Sequence, residues 1–187
     1  MKKKVKSKKR DYIEKYVEQQ LSKFRDQFEK ESDRAKVILS AAMLETALEN
    51  LLKAQLAPSA SSEDSLLEGA YAPISTFSAK IDLAHRLGLI STKFAKDLHL
   101  IRRIRNDFAH NVQSCDFEEV AVHSRCTELA RSSGMGKRDP TLRKLFEEGP
   151  RGDFLMTVAW MLYHLWNLVS DLETFEVAEP EWAYEGK

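Results

Sequence analysis

The stretch "LIRRIRNDFAHN", Leu100 to Asn111, repeats apolar residues at spacings of three and four while carrying three arginines, an asparagine, an aspartate and a histidine. That spacing is the period of a helix lying against a core. On a wheel at about 100° per residue, Phe94, Leu98, Ile101, Ile104 and Phe108 share one arc of about 120°. Arg105 falls inside the arc, where a guanidinium is costly unless paired. Glu45 is the leading partner, at the edge of the apolar arc of Val37, Ile38, Ala41, Leu44, Leu48 and Leu52 on another helix. Asn106 and His110 lie on a different side, in line with His99 and Arg103. Arg105 and His110 are about 140° apart, so one straight helix cannot aim both at a single small atom. They converge only if the helix ends or bends near Asn111, or if both serve a cleft between two subunits. The plainer reading has Arg105 snorkelling from the core edge and His110 at a helix end.

Working outward, the pattern stays helical, and no run alternates with period two long enough for a strand. Tyr16, Val17, Leu21, Phe24 and Phe28 mark an amphipathic helix over about 11–30. Ser32 and Asp33 can cap a second helix that stops before Pro58. A third begins near Ser75 and closes at Gly88, and Ser91 and Thr92 cap the helix of the opening stretch. Asp116 and Glu119 have capping-box spacing for a helix to about Arg131. Asp139-Pro140 starts a short helix, and Asp153 can cap a long one to about Phe175. The expected fold is all-α: a compact multi-helix bundle with a long apolar C-terminal helix. Its segment Phe154 to Leu172 is apolar almost all round, more than one small core hides, so a homodimer is expected.

Charge divides the chain into three parts. The first ten residues hold Lys2, Lys3, Lys4, Lys6, Lys8, Lys9 and Arg10 with no acid. Taking those seven from the 29 basic residues leaves 22 against 29 acidic ones in the remaining chain. A basic, disordered arm (1–10) thus precedes a single helical domain (11–175) and an acidic tail (176–187). The arm is the candidate contact for a nucleic-acid backbone, and such a contact would be salt-sensitive. Cys115 and Cys126 alone make neither a disulfide framework nor a zinc site, which fits a reducing cytoplasm. Thr157, His164, Asn167 and Ser170 interrupt the apolar C-terminal run, so it reads as a buried helix and no membrane span is expected.

The segment "LLEGAYAPISTFSAKIDLAHRLGLISTKFAKDLHLIRRIRNDFAHN" carries a P-I-S-T-F-S-A-K-I block, a G-L-I-S turn and an I-R-N-D-F-A-H ending. It resembles the mannitol operon repressor (MltR) family, and the resemblance spans about residues 35–130. The resemblance implies an all-helical transcriptional regulator without a recognised DNA-reading motif, working mainly through protein partners. Arg105, Asn106 and His110 also spell R-N-x-x-x-H, similar to the motif of HEPN domains. These are helical dimers, many of them metal-independent ribonucleases with the arginine and histidine at the dimer cleft. An imidazole could move a 2′-hydroxyl proton there while a guanidinium stabilises charge on the phosphate.

Other constellations read as structural. His85, His99 and His123 lack ligand spacing, so neither a metal nor a cofactor is expected. Asp97 and Asp107 read as surface partners of Lys93, Arg102 or Arg103. His164, among Trp160, Tyr163 and Trp166, reads as a core or interface histidine. The candidate binding residues are therefore Glu45, His99, Arg103 and the basic arm, with Arg105, Asn106 and His110 as candidate catalytic groups.

Overall fold

Ser32, Thr76 and Ser91 each accept a hydrogen bond from the backbone N–H three residues on, at 3.2 Å, satisfying an open donor where a helix begins. The computed structural model describes residues 19–62, 64–111, 115–134 and 143–177. Six helices and no strand are found among them: α1 (19–28), α2 (Asp33–Gln55), α3 (Phe77–Arg86), α4 (Thr92–His110), α5 (Val120–Ser133) and α6 (Pro150–Asp171). The all-α expectation holds. The basic arm, the start of the first helix, the short helix expected at Asp139-Pro140 and the tail beyond 177 lie outside the described residues.

Three boundaries differ from the sequence reading. Asp116 accepts from the Glu118 and Glu119 N–H groups at 2.9 and 3.0 Å, shaping a turn ahead of α5 rather than a reciprocal capping box. The last helix starts at Pro150, whose missing N–H costs nothing in a first turn. At Gly152 a Cβ would come within 1.8 Å of the Glu147 carbonyl, so only glycine allows this turn to pack so closely. α6 stops at Asp171 because the chain beyond it bonds elsewhere. Thr174 Oγ1 donates to the Ala54 carbonyl and the Phe175 N–H to the Gln55 carbonyl, both at 2.8 Å.

These bonds hold the end of α6 to the end of α2. Arg151 and Asp33, 2.8 Å apart, join the two beginnings, so the helices run parallel. α4 runs the other way, with Arg34 donating to the Asn111 carbonyl at 2.7 Å. α5 returns beside α4, where Arg125 and Asp107 form an ion pair. α2 packs against α3, α4 and α6, while α5 packs against α4 and α6. Phe108, Phe117 and Phe154 are fully buried, with ring centres 5.3 and 5.6 Å apart in sequence along the stack. Ile38, expected in the α2 core arc, is instead exposed.

α3 buries Phe77, Lys80, Ile81 and Ala84 on one side. The Lys80 ammonium is therefore pressed onto α2, 3.2 Å from Glu45 and 2.9 Å from Glu49. Glu49 also meets Lys53 at 2.8 Å, and Lys53 reaches Glu68 at 2.6 Å. Glu45 is thus the partner of Lys80, correcting the expected pairing with Arg105. Burial pushes the Lys80 pKa down, but hydrogen bonds with Glu49 and Glu45 outweigh it and hold it above the ordinary lysine value. Burial likewise pushes Glu49 up, and Lys53 and Lys80 together hold it low.

Lys80→Met should destabilise the protein by about 3 kcal/mol, near the lower end for breaking a buried pair, because both carboxylates keep some solvent. Adding Glu45→Gln and Glu49→Gln should recover most of that loss. Glu49 has a depressed folded pKa, so its contribution is complete above its unfolded pKa and disappears as pH falls through the folded one. Thermal melts of wild type, single and triple variants across pH check both points; strictly additive losses would contradict the pairing.

Candidate functional site

α4 is enclosed over most of its circumference: Leu100 is buried on one side of Phe94, and Leu98 and Ala95 are buried on the other. Within this broad face Asp97 is buried, whereas Arg105, nearer the end of the helix, is left half-buried. Arg105 and Asn106 are half-buried, and neither side chain has a hydrogen bond or ion pair among the described residues. His110 is exposed at the last helical position. The helix continues through His110 to an Asn111 cap whose N–H bonds the Asp107 carbonyl at 3.0 Å. Arg105 and His110 consequently stay on different sides of one helix, and a single chain does not bring them together.

The remaining sequence-derived candidates are scattered. His99 meets Asp82 at 3.3 Å across α3 and α4, and Arg103 is exposed. Glu45 belongs to the Lys80 cluster, and the lysine arm lies outside the described residues. Asp107 pairs with Arg125 rather than with Arg102 or Arg103. No group of three or more His, Cys, Asp and Glu able to hold a metal occurs among the described residues. No helix among them is long and apolar enough to cross a membrane. Burial, with Glu119 beside it, pushes the Cys115 thiol up to about 11, and burial pushes Cys126 up to about 12. Neither is a reactive thiolate.

A second site lies at the other end of α4. A cavity of about 290 Å³ opens between α4, the end of α5 and the middle of α6. Asp97, Lys93 and Phe94 line it from α4, with Ser133, Trp160, Met161 and His164 opposite. Asp97 is only 5% exposed, and its Oδ1 has no hydrogen-bond partner. Burial raises the Asp97 pKa, while a hydrogen bond from Ser132 and the charge of Lys93 partly oppose the rise. His164 is exposed at its edge, which removes the core half of the core-or-interface expectation, and its ring lies 5.3 Å from that of Phe94. Partial burial holds its pKa below the ordinary value. The expected surface pairing of Asp97 therefore fails. On the wheel Asp97 falls about 60° from Phe94, inside the same arc as Arg105, so the signal was present in the spacing.

No family model matches this chain, and no curated protein does. A chain in the X-ray structure of the MtlR–HPr complex from Escherichia coli is similar in structure, with a TM-score of 0.55 and 15% sequence identity. The match covers 80% of this chain and 98% of that one. The two share a fold. At that identity the likeness concerns the helical architecture, over nearly the whole of the Escherichia coli chain.

Asp97→Asn should raise stability at neutral pH by about 1 kcal/mol, since a buried carboxylate oxygen without a donor is destabilising. The sign follows from the raised folded pKa: the native state binds its proton more tightly, so the penalty is full above the folded pKa and relieved as pH falls through it. Wild type and variant melts should therefore converge in acid. A constant difference from pH 3 to 8 would contradict this.

Proposed function

We propose that this chain is a cytoplasmic transcriptional regulator of the mannitol operon repressor type, acting as a homodimer that binds a protein partner. The observation that carries the reading is the fold shared with a chain of the MtlR–HPr complex, over 98% of that chain. The resemblance of about residues 35–130 to the mannitol operon repressor family supports the same class. The acidic balance of the chain outside its first ten residues is unfavourable for a phosphate backbone, so the basic arm supplies any contact with nucleic acid. The controlled genes are those of sugar-alcohol use, by the same resemblance. Calorimetric titration with the HPr of the host organism tests the reading. Saturable binding that survives 0.3 M salt and deletion of residues 1–10 is expected, and no heat at 100 µM HPr would contradict HPr as the partner.

One observation favours a second reading. Arg105 is half-buried with no partner among the described residues, and it shares a helix with Asn106 and His110. In a dimer, two copies of α4 could bring the arginine of one chain to the histidine of the other, as a metal-independent ribonuclease requires. Arg105→Ala and His110→Ala should each keep the wild-type melting temperature within a few degrees. On the ribonuclease reading both would lose at least a hundredfold in cleavage of single-stranded RNA. On the regulator reading wild type itself cleaves nothing above the buffer rate.

A further inference from the structure

We propose that the cavity between α4, α5 and α6 binds a primary ammonium or guanidinium group carried on a small apolar body. Asp97 lines the cavity, and its buried Oδ1 is an acceptor without a hydrogen-bond partner on a residue 5% exposed. A carboxylate oxygen in that position is best satisfied by a charged N–H donor, whose hydrogen bond is about twice as strong as a neutral one. The walls suit the remainder of such a ligand. Phe94 and Trp160 offer aromatic faces that attract a cation, and Met161 adds apolar surface. Ser91 and Ser133 supply hydroxyls that can accept the remaining N–H bonds of an ammonium.

The charges around the cavity favour one sign. From α4, Lys93 acts on Asp97 as an opposing charge, yet it is exposed and makes no ion pair with it. From α5, Glu128 adds negative potential at the same carboxyl. From α6, His164 is held towards its neutral form and so adds no competing cation at neutral pH. An anion would face Asp97 and Glu128 together. A metal ion would find one carboxylate where it needs several ligands. The volume, about 290 Å³, lies at the small end of ligand sites and fits one short amine or one side chain.

The same chemistry has two sources, a free small amine or a lysine or arginine side chain of a peptide. The inference stands apart from the regulatory reading, since the cavity uses none of the groups near His110. Butylammonium, 1-butanol and an N-acetylated, C-amidated Gly-Lys-Gly peptide serve as probes, with binding followed by amide and indole NMR shifts of the full chain. Butylammonium should give saturable shifts at Asp97, Ser133 and the Trp160 indole, and 1-butanol should bind at least tenfold more weakly. Asp97→Asn should weaken butylammonium at least tenfold. Should that variant misfold, titration of the wild-type Asp97 carboxyl by carbon NMR decides instead, and saturating butylammonium should lower its midpoint. Tighter binding of the peptide assigns the site to a protein side chain; butylammonium binding with the peptide excluded assigns it to a free amine. Equal affinity for amine and alcohol, or no saturable shift with either amine, overturns the proposal.

Discussion

Lys80 sets the geometry on which the rest of the bundle depends. Its ammonium lies in the otherwise apolar seam between α3 and α2, and it is tolerable there only where Glu45 and Glu49 both meet it. Sliding α3 by one turn along α2 would leave it one carboxylate instead of two, with Ala41 or Lys53 in place of the other, so the cluster favours a single register of the two helices. α4 follows α3 through the tight turn at Gly88, whose φ of 75° suits glycine. The placement of α4 is thereby set as well. α2 itself is enclosed by α3, α4 and α6, with α6 bonded to it at both ends.

The consequence for function is a helix with two different ends. The first half of α4 faces α5 and α6 and helps line a cavity beside an acid, Asp97, one of whose oxygens lacks a hydrogen-bond partner. Its second half carries Arg105 to the rim and His110 into solvent, with the Arg125–Asp107 ion pair holding the turn between them against α5. Chemistry that needs arginine and histidine together therefore needs a second chain. Chemistry that needs an acid and aromatic walls is complete within one.

Much of the architecture was legible in the sequence because its signals are local. The cap serines, Gly88 and the three-four spacing of apolar residues act within one turn, and the structure keeps them. The site was less legible because it depends on how each helix is rotated about its axis. Arg105 and Asp97 both fall inside the apolar arc of α4, and their spacing does not distinguish the one that packing buries, Asp97, from the one left half-buried, Arg105. Lys80 likewise sits among Phe77, Ile81 and Ala84, where its spacing could have marked it as the cation for Glu45. Arg105, on the equivalent arc of α4, is the more conspicuous cation in the sequence. The ends of α6 depend on bonds to residues more than a hundred positions away, which no local pattern encodes.

We propose that the chain works through another protein and not through RNA. Capture of partners from a native lysate of the host on immobilised full-length chain, with and without nuclease treatment and read by mass spectrometry, tests it most directly. HPr or another single protein should be retained at the same level after nuclease. Loss of every specific partner on nuclease treatment, with RNA recovered from the untreated sample, would contradict it.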